Sequence, residues 1–153
     1  MADDVHHFTV ESVNICDFVS SDASGKAILI GVYQGNIRFS EPPTAWPPLF
    51  FSIVLRPKTP KFDFSIKFVR PDRINFIDLE GTYIAPGDPP AENRAIINFQ
   101  IPPMRFTGAG NYEIVISGAD NIELYRETIP ISVGPPVKFV ASINANIKVS
   151  AEL

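Results

Sequence analysis

Apolar and polar residues alternate in short blocks along this chain, and this period of two constrains its fold more than any other feature. Residues 61–68 form the cleanest block, in which every second side chain is apolar. In a strand, such a pattern places the apolar side chains on one face and the polar ones on the other. Residues 49–55, 95–101 and 112–116 repeat it. Each apolar face needs a facing layer, so the pattern predicts strands stacked in two sheets.

Composition supports strands over helices. Among 153 residues there are 19 Ile and 12 Val against 6 Leu, together with 15 Pro. β-branched side chains fit pleated strands, and frequent prolines interrupt helices. We therefore predict an all-β fold: an antiparallel two-sheet β-sandwich, immunoglobulin-like or jelly-roll-like, with about eight to nine strands. The length fits one sandwich domain over residues 1–134, followed by a C-terminal extension over residues 135–153.

Residues 25–35 carry apolar side chains on both faces: Ile28, Ile30 and Val32 on one, Leu29 and Tyr33 on the other. This pattern predicts a central strand that is covered on both sides. Its glycines, Gly31 and Gly35, indicate a bulge or a close approach by another group. The polar turn 20–25 predicts a hairpin with the preceding strand, and residues 116–122 predict a second hairpin.

Two proline-rich loops, residues 41–48 and 85–92, cannot donate ladder hydrogen bonds at their prolines and are predicted to be extended crossings. Trp46 stands in the first loop. Displayed at the surface, it could form a sugar-binding platform with nearby tyrosines. A tryptophan between prolines can also pack down as a lid on the edge of the core, and we favour this interpretation.

Several of these segments resemble one known family. The opening of that family's sequence is similar to Cys16-Asp17 followed by Gly25-Lys26-x-x-Leu-Ile-Gly-Val-Tyr33, and then by Pro43 and Pro47-Pro48-Leu49. A later hairpin of the family is similar to Gly110-Asn-Tyr-Glu-Ile-x-Ile116. The family consists of small bacterial β-sandwich proteins of unknown function. The resemblance covers residues 12–134 and implies the sandwich fold. It implies no catalytic residue.

Residues suited to catalysis are few. The only histidines, His6 and His7, stand side by side near the N-terminus, where we expect them to be exposed. Cys16 is expected to be a small buried hydrophobe, because the neighbouring Asp17 disfavours a thiolate. No phosphate-binding glycine loop, calcium loop or nucleophile elbow is present, so we expect no enzyme and no cofactor. A hydrolase whose carboxylates converge only in the fold stays open as an alternative.

Charge indicates which partners to expect. Seventeen acidic against thirteen basic residues give a net charge of −4, which opposes binding to nucleic acid or to an anionic membrane. The basic cluster between Arg56 and Arg73 interleaves with phenylalanines, but the alternation places these on the opposite face, so we expect a solvated surface. The acidic N-terminus is unlike a secretory signal, and the single cysteine fits a reducing setting, so we predict a cytoplasmic protein.

The C-terminal extension alternates strictly from Val137 to Val149, with Phe139, Ile143 and Ile147 on one face. As a strand it is roughly 40 Å long, at ~3.3 Å per residue. We expect it to pair with an edge of its own sheet or to add to an edge in a neighbouring subunit.

These features predict a non-enzymatic interaction module that self-associates or belongs to a larger assembly. Its partner is then another protein or a second copy of the chain. The candidate interaction residues are Trp46, Phe139, Ile143 and Ile147. The main alternative is a carbohydrate-binding module that uses exposed aromatic residues.

Overall fold

A computed structural model describes residues 6–86 and 94–135. Nine strands lie in this part of the chain, joined by turns, hairpins and crossings. Their bounds are β1 Phe8–Ser21, β2 Ala27–Val32, β3 Ile37–Phe39, β4 Phe50–Pro57, β5 Lys61–Val69, β6 Asn75–Ile84, β7 Ala95–Gln100, β8 Gly110–Ser117 and β9 Glu123–Val133. The one helical element among the described residues is the 3-10 turn Ala119–Asn121, and none of them forms a helix that could cross a bilayer.

The strands form two sheets, as the alternation predicts. The first sheet has the order β2-β1-β4-β7 and is antiparallel throughout, and the second has the order β3-β9-β8-β5-β6. The all-β two-sheet sandwich is therefore confirmed. One pair, β3 with β9, is parallel. The reason is that the chain crosses between the sheets after β2 and arrives beside β9 running in the same direction.

The apolar stripes meet between the sheets. Phe51, Ile53 and Leu55 of β4 are fully buried and face the stripe of β5. In β5 itself, Phe62, Ile66 and Phe68 are buried, whereas Lys61 and Asp63 are exposed. Phe64 is only half-buried, and its ring lies over Gly81 of β6, where a Cβ atom would stand 2.5 Å from the ring.

Trp46 closes one end of the core, which we call the Trp46 end. Its side chain is 6% exposed and lies edge-on to the rings of Phe106, Tyr112 and Phe68, with centroids 5.1, 5.3 and 6.2 Å away. Its amide N–H donates to Met104 O at 2.8 Å, so the proline-rich crossing is fixed to the crossing between β7 and β8. The interpretation of Trp46 as a lid is confirmed.

The prediction that the strand within residues 25–35 is central is wrong. The corresponding β2 is the edge strand of the first sheet and pairs only with β1 among the described strands. The sequence shows that both faces of β2 are apolar, but it does not show whether anything covers them. In the described chain, Ile28, Ile30 and Val32 are exposed.

Candidate functional site

The hairpin of β1 and β2 extends beyond the sandwich at the Trp46 end. β1 pairs with β4 only from Phe8 to Cys16, where it meets Phe50, the first residue of β4. Beyond Cys16, as far as Ser21, it pairs with β2 alone among the described strands. Residues 16–32 therefore form a two-stranded projection, which we call the arm. The 14 residues of β1 are long enough to serve both the sheet and the arm.

One face of the arm is apolar and open to solvent. Phe18 lies directly opposite Ile30, and Val32 and Ile28 occupy the next positions on the same face. The exposed fractions are 48% for Phe18, 43% for Ile28, 54% for Ile30 and 37% for Val32. We call these four residues the arm face. Contiguous exposed apolar side chains on a folded domain mark sites of interaction.

The turn at the tip of the arm is well ordered by hydrogen bonds. Asp22 Oδ1 accepts from the amides of Ser24 and Lys26, at 2.8 and 2.9 Å, and from the Ser24 hydroxyl at 2.7 Å. Gly25 supplies the positive φ of 84° that the turn requires. The hydrogen bond from the Ser24 side chain is the main cause that lowers the pKa of Asp22. The tip therefore holds the two strands in register without help from the sandwich.

The base of the arm is anchored to the sheet. Cys16 is completely buried, with Sγ 3.8 Å from Phe50 O, and the rings of Phe18 and Phe50 meet edge-on with centroids 5.7 Å apart. Burial raises the pKa of the Cys16 thiol, which favours its neutral form. The expectation that Cys16 acts as a small buried hydrophobe is confirmed.

A second contact at the base joins the far side of the hairpin. The Tyr33 hydroxyl donates to Asp17 Oδ1 at 2.8 Å, and the Asp17 carboxylate occupies the space that a Cβ atom on Gly31 would need. Gly31 has a φ of 67°, so a glycine suits this position for two reasons. The predicted close approach at Gly31 is confirmed, and the approaching group is Asp17.

The sequence matches the family of unknown function DUF6941 over residues 11–133. The chain belongs to this family. The resemblance to an uncharacterised family is thus confirmed. The matched DUF6941 region includes the whole arm and ends at Val133, the last residue of β9. No curated protein matches the chain.

The structure places the predicted site residues of this DUF6941 chain in different surroundings. Trp46 lies in the core and presents no open ring face, so it offers no platform to a sugar. Phe139, Ile143 and Ile147 lie outside the described residues. The arm face was not predicted as a site. Its signal in the sequence was the two-sided apolar pattern of residues 25–35, which we interpreted as burial.

Several charged residues in the described part of the DUF6941 domain form ion pairs with one another. Glu11 accepts hydrogen bonds from Arg94 at 2.5 Å and from Arg56 at 2.7 Å, and the bond from Arg94 is the main cause that lowers its pKa. Arg70, from the basic cluster, pairs with Asp72, whose pKa it lowers. Both carboxylates therefore take part in ion pairs with arginines, which favour their charged forms.

A similar network covers the outer face of the second sheet. Glu113 accepts from Arg73 at 3.1 Å and from Arg126, which also pairs with Glu123 at 2.7 Å. Arg73 belongs to the basic cluster, so part of the positive charge on this surface is neutralised locally. Among the described residues, no three His, Cys, Asp or Glu side chains gather as a metal site.

Proposed function

We propose that this DUF6941 domain is a non-enzymatic interaction module that self-associates through the arm face. The observation that carries the proposal is the exposure of four large apolar side chains, Phe18, Ile28, Ile30 and Val32, on a projection only two strands wide. An isolated two-stranded hairpin is marginally stable in water, so an arm of this kind gains most from a partner that covers it.

A second copy of the chain suits the arm face by its chemistry. The remaining positions on this face are Cys16 and Ser20, opposite Val32 and Ile28, so the face carries no charge. Two such faces can pack about a two-fold axis without removing an ion from water. Two charged residues of the arm, Asp22 and Lys26, lie at its tip, where they stay at the polar rim of such an interface, and the third, Asp17, lies at the base, where it accepts a hydrogen bond from Tyr33.

Other partners receive less support. The negative net charge and the paired arginines disfavour nucleic acid and anionic membranes. The buried position of Trp46 removes the main feature behind carbohydrate binding. A cytoplasmic setting forms part of the proposal and is supported by the single, buried Cys16.

Sedimentation equilibrium of the full chain and of two variants tests the proposal. Ile30→Lys places a charge in the centre of the arm face. The matched control is Ile84→Lys, because Ile84 is also a strand isoleucine and is 69% exposed, but lies at the end of β6. We expect the wild type and the control to associate equally and Ile30→Lys to stay monomeric, with unchanged circular dichroism in all three. A monomeric wild type, or an Ile30→Lys variant that associates like the wild type, overturns the proposal.

A further inference from the structure

The free edge of the arm points to a specific occupant. We infer that the segment after Pro135 of the same chain adds to β2 as a third, antiparallel strand. This inference rests on the proposed function, because it names what completes the arm, but it concerns the edge of β2 and not the arm face. The two surfaces can therefore be tested separately.

The described chain ends at the place from which the arm projects. β1 and β9 both run towards the Trp46 end: β1 reaches Phe50 there, and β9 reaches the level of Gly110 at the start of β8. At that end Gly134 N–H donates to Phe39 O at 2.9 Å, and Arg38 Nε donates to Pro135 O at 2.8 Å. The exit is thus fixed beside β3, and β9 points there in the direction in which β1 continues into the arm.

Of the four edges that the described strands leave, β2 is the one that this exit serves best. β2 and β3 lie on the same side of the sandwich, because Ile15 of β1, Tyr33 and Ile37 line one small cavity between the sheets. The edges β6 and β7 lie on the opposite side, where Tyr83 and Ala95 line another cavity. β3 has only 3 residues, whereas β2 has 6. A chain that continues in the direction of β9 runs antiparallel to β2 without reversing.

β2 has backbone groups ready for such a strand. Asp22 N–H donates to Lys26 O at 2.9 Å, and antiparallel ladder bonds alternate along a strand. The register of β2 on β1 therefore directs the amides of Ile28 and Ile30 towards β1, and those of Ala27 and Leu29 away from it. No described strand lies on that side of β2. An open row of amides and carbonyls is a template for strand addition.

The sequence after Pro135 fits this edge. Every second residue from 137 to 149 is apolar, and a stretch of about six residues, roughly 20 Å, suffices to line β2 at ~3.3 Å per residue. Alternation also keeps one face of the added strand apolar, so that it can extend the arm face, while Lys138 and Lys148 face the other way. Because the exit lies close by, attachment to the same chain gives an effective concentration in the millimolar range, which favours pairing within the chain.

Amide hydrogen exchange of the full chain, followed by NMR, tests the inference. In one variant, Ala141→Pro and Ala145→Pro together remove strand-forming amides. The matched control carries Ala141→Ser and Ala145→Ser, which keep them. We expect the amides of Ala27 and Leu29 to exchange at least about tenfold faster in the proline variant than in the wild type and the serine control. The amides of β4 should be unchanged and report an intact sandwich.

The possible outcomes separate this inference from the proposed function. Equal exchange of the Ala27 and Leu29 amides in all chains, whether fast or slow, overturns the inference. The inference is also overturned if the protection of these amides falls on dilution as the oligomer dissociates, because the added strand then comes from a second copy of the chain. If the wild type associates and Ile30→Lys abolishes this association, the proposed function stands whether or not the inference does. If the wild type is monomeric and these amides exchange faster only in the proline variant, the inference stands and the proposed function is wrong.

Discussion

The Tyr33 hydroxyl donates a hydrogen bond to Asp17 Oδ1 at 2.8 Å, and so joins the residue that follows β2 to β1 at the base of the arm. The pair lies where the arm separates from the sandwich. Burial, and then the hydrogen bond to the Asp17 carboxylate, raise the pKa of Tyr33 to about 12. The attachment of the arm is therefore linked to the protonation of a single phenol.

This linkage predicts a pH dependence at the alkaline end. An unfolded tyrosine has a pKa near ~10, so the contribution of Tyr33 to stability is complete below about pH 10 and is lost as the pH rises towards the folded value. Asp17→Asn should lower the pKa of Tyr33 but leave it above ~10, because burial is the larger cause. NMR titration of ring-labelled tyrosines measures this. Tyr125, whose pKa is raised to about 12 by burial and by Glu127, serves as the internal control. A Tyr33 titration that Asp17→Asn leaves unchanged would contradict the contact.

Gly31 and Gly35 allow the cost of the close approach at Asp17 to be separated from the cost of backbone strain. Both have positive φ, 67° and 82°, but a Cβ atom at Gly35 would meet no other group within 4 Å, whereas at Gly31 it would meet the Asp17 carboxylate. We expect Gly35→Ala to cost on the order of 1 kcal/mol in free energy of unfolding, and Gly31→Ala about 1–3 kcal/mol more. Urea denaturation measures both. Adding Asp17→Ala should recover most of the difference for Gly31→Ala and none for Gly35→Ala. Equal losses from the two alanine variants would show that the carboxylate moves away freely.

The sequence predicts which side chains of β4 and β5 point into the core better than it predicts which segments pack against these strands. Alternation identifies the inward side chains of both strands because each has one solvated face. It does not show that Ser65, on the outer face of β5, is buried beside the turn after β8, because that contact depends on how a distant segment crosses the sheet. It also does not distinguish an apolar strand with covered faces from one that projects. That failure concealed the arm, since the side chains of β2 are the same in either case.

Phe64 and Phe68 provide a test in which the structure departs from the pattern. Alternation treats them as equivalent core residues. In the structure Phe68 is 1% exposed, while Phe64 is half-buried over Gly81. Phe68→Ala should cost about 3–5 kcal/mol in free energy of unfolding, and Phe64→Ala about 1.5–3 kcal/mol. Lys61→Ala, at an exposed position of the same strand, should stay within about 0.5 kcal/mol. Equal losses from the two phenylalanine variants in chemical denaturation would favour the sequence pattern over the structure.

Trp46 reports on the end of the sandwich from which the arm projects. It is the single tryptophan of the chain, it is 6% exposed, and aromatic rings surround it, so its fluorescence should be blue-shifted and poorly quenched by iodide. Self-association through the arm face buries Phe18 and Ile30 but not Trp46, so dilution through the dissociation range should leave the emission unchanged. Saccharides should also have no effect, because a sugar cannot stack on a ring that is already covered. A change in emission on adding saccharide, with the fold intact by circular dichroism, would show that the proline-rich crossing opens, and would restore the carbohydrate-binding alternative.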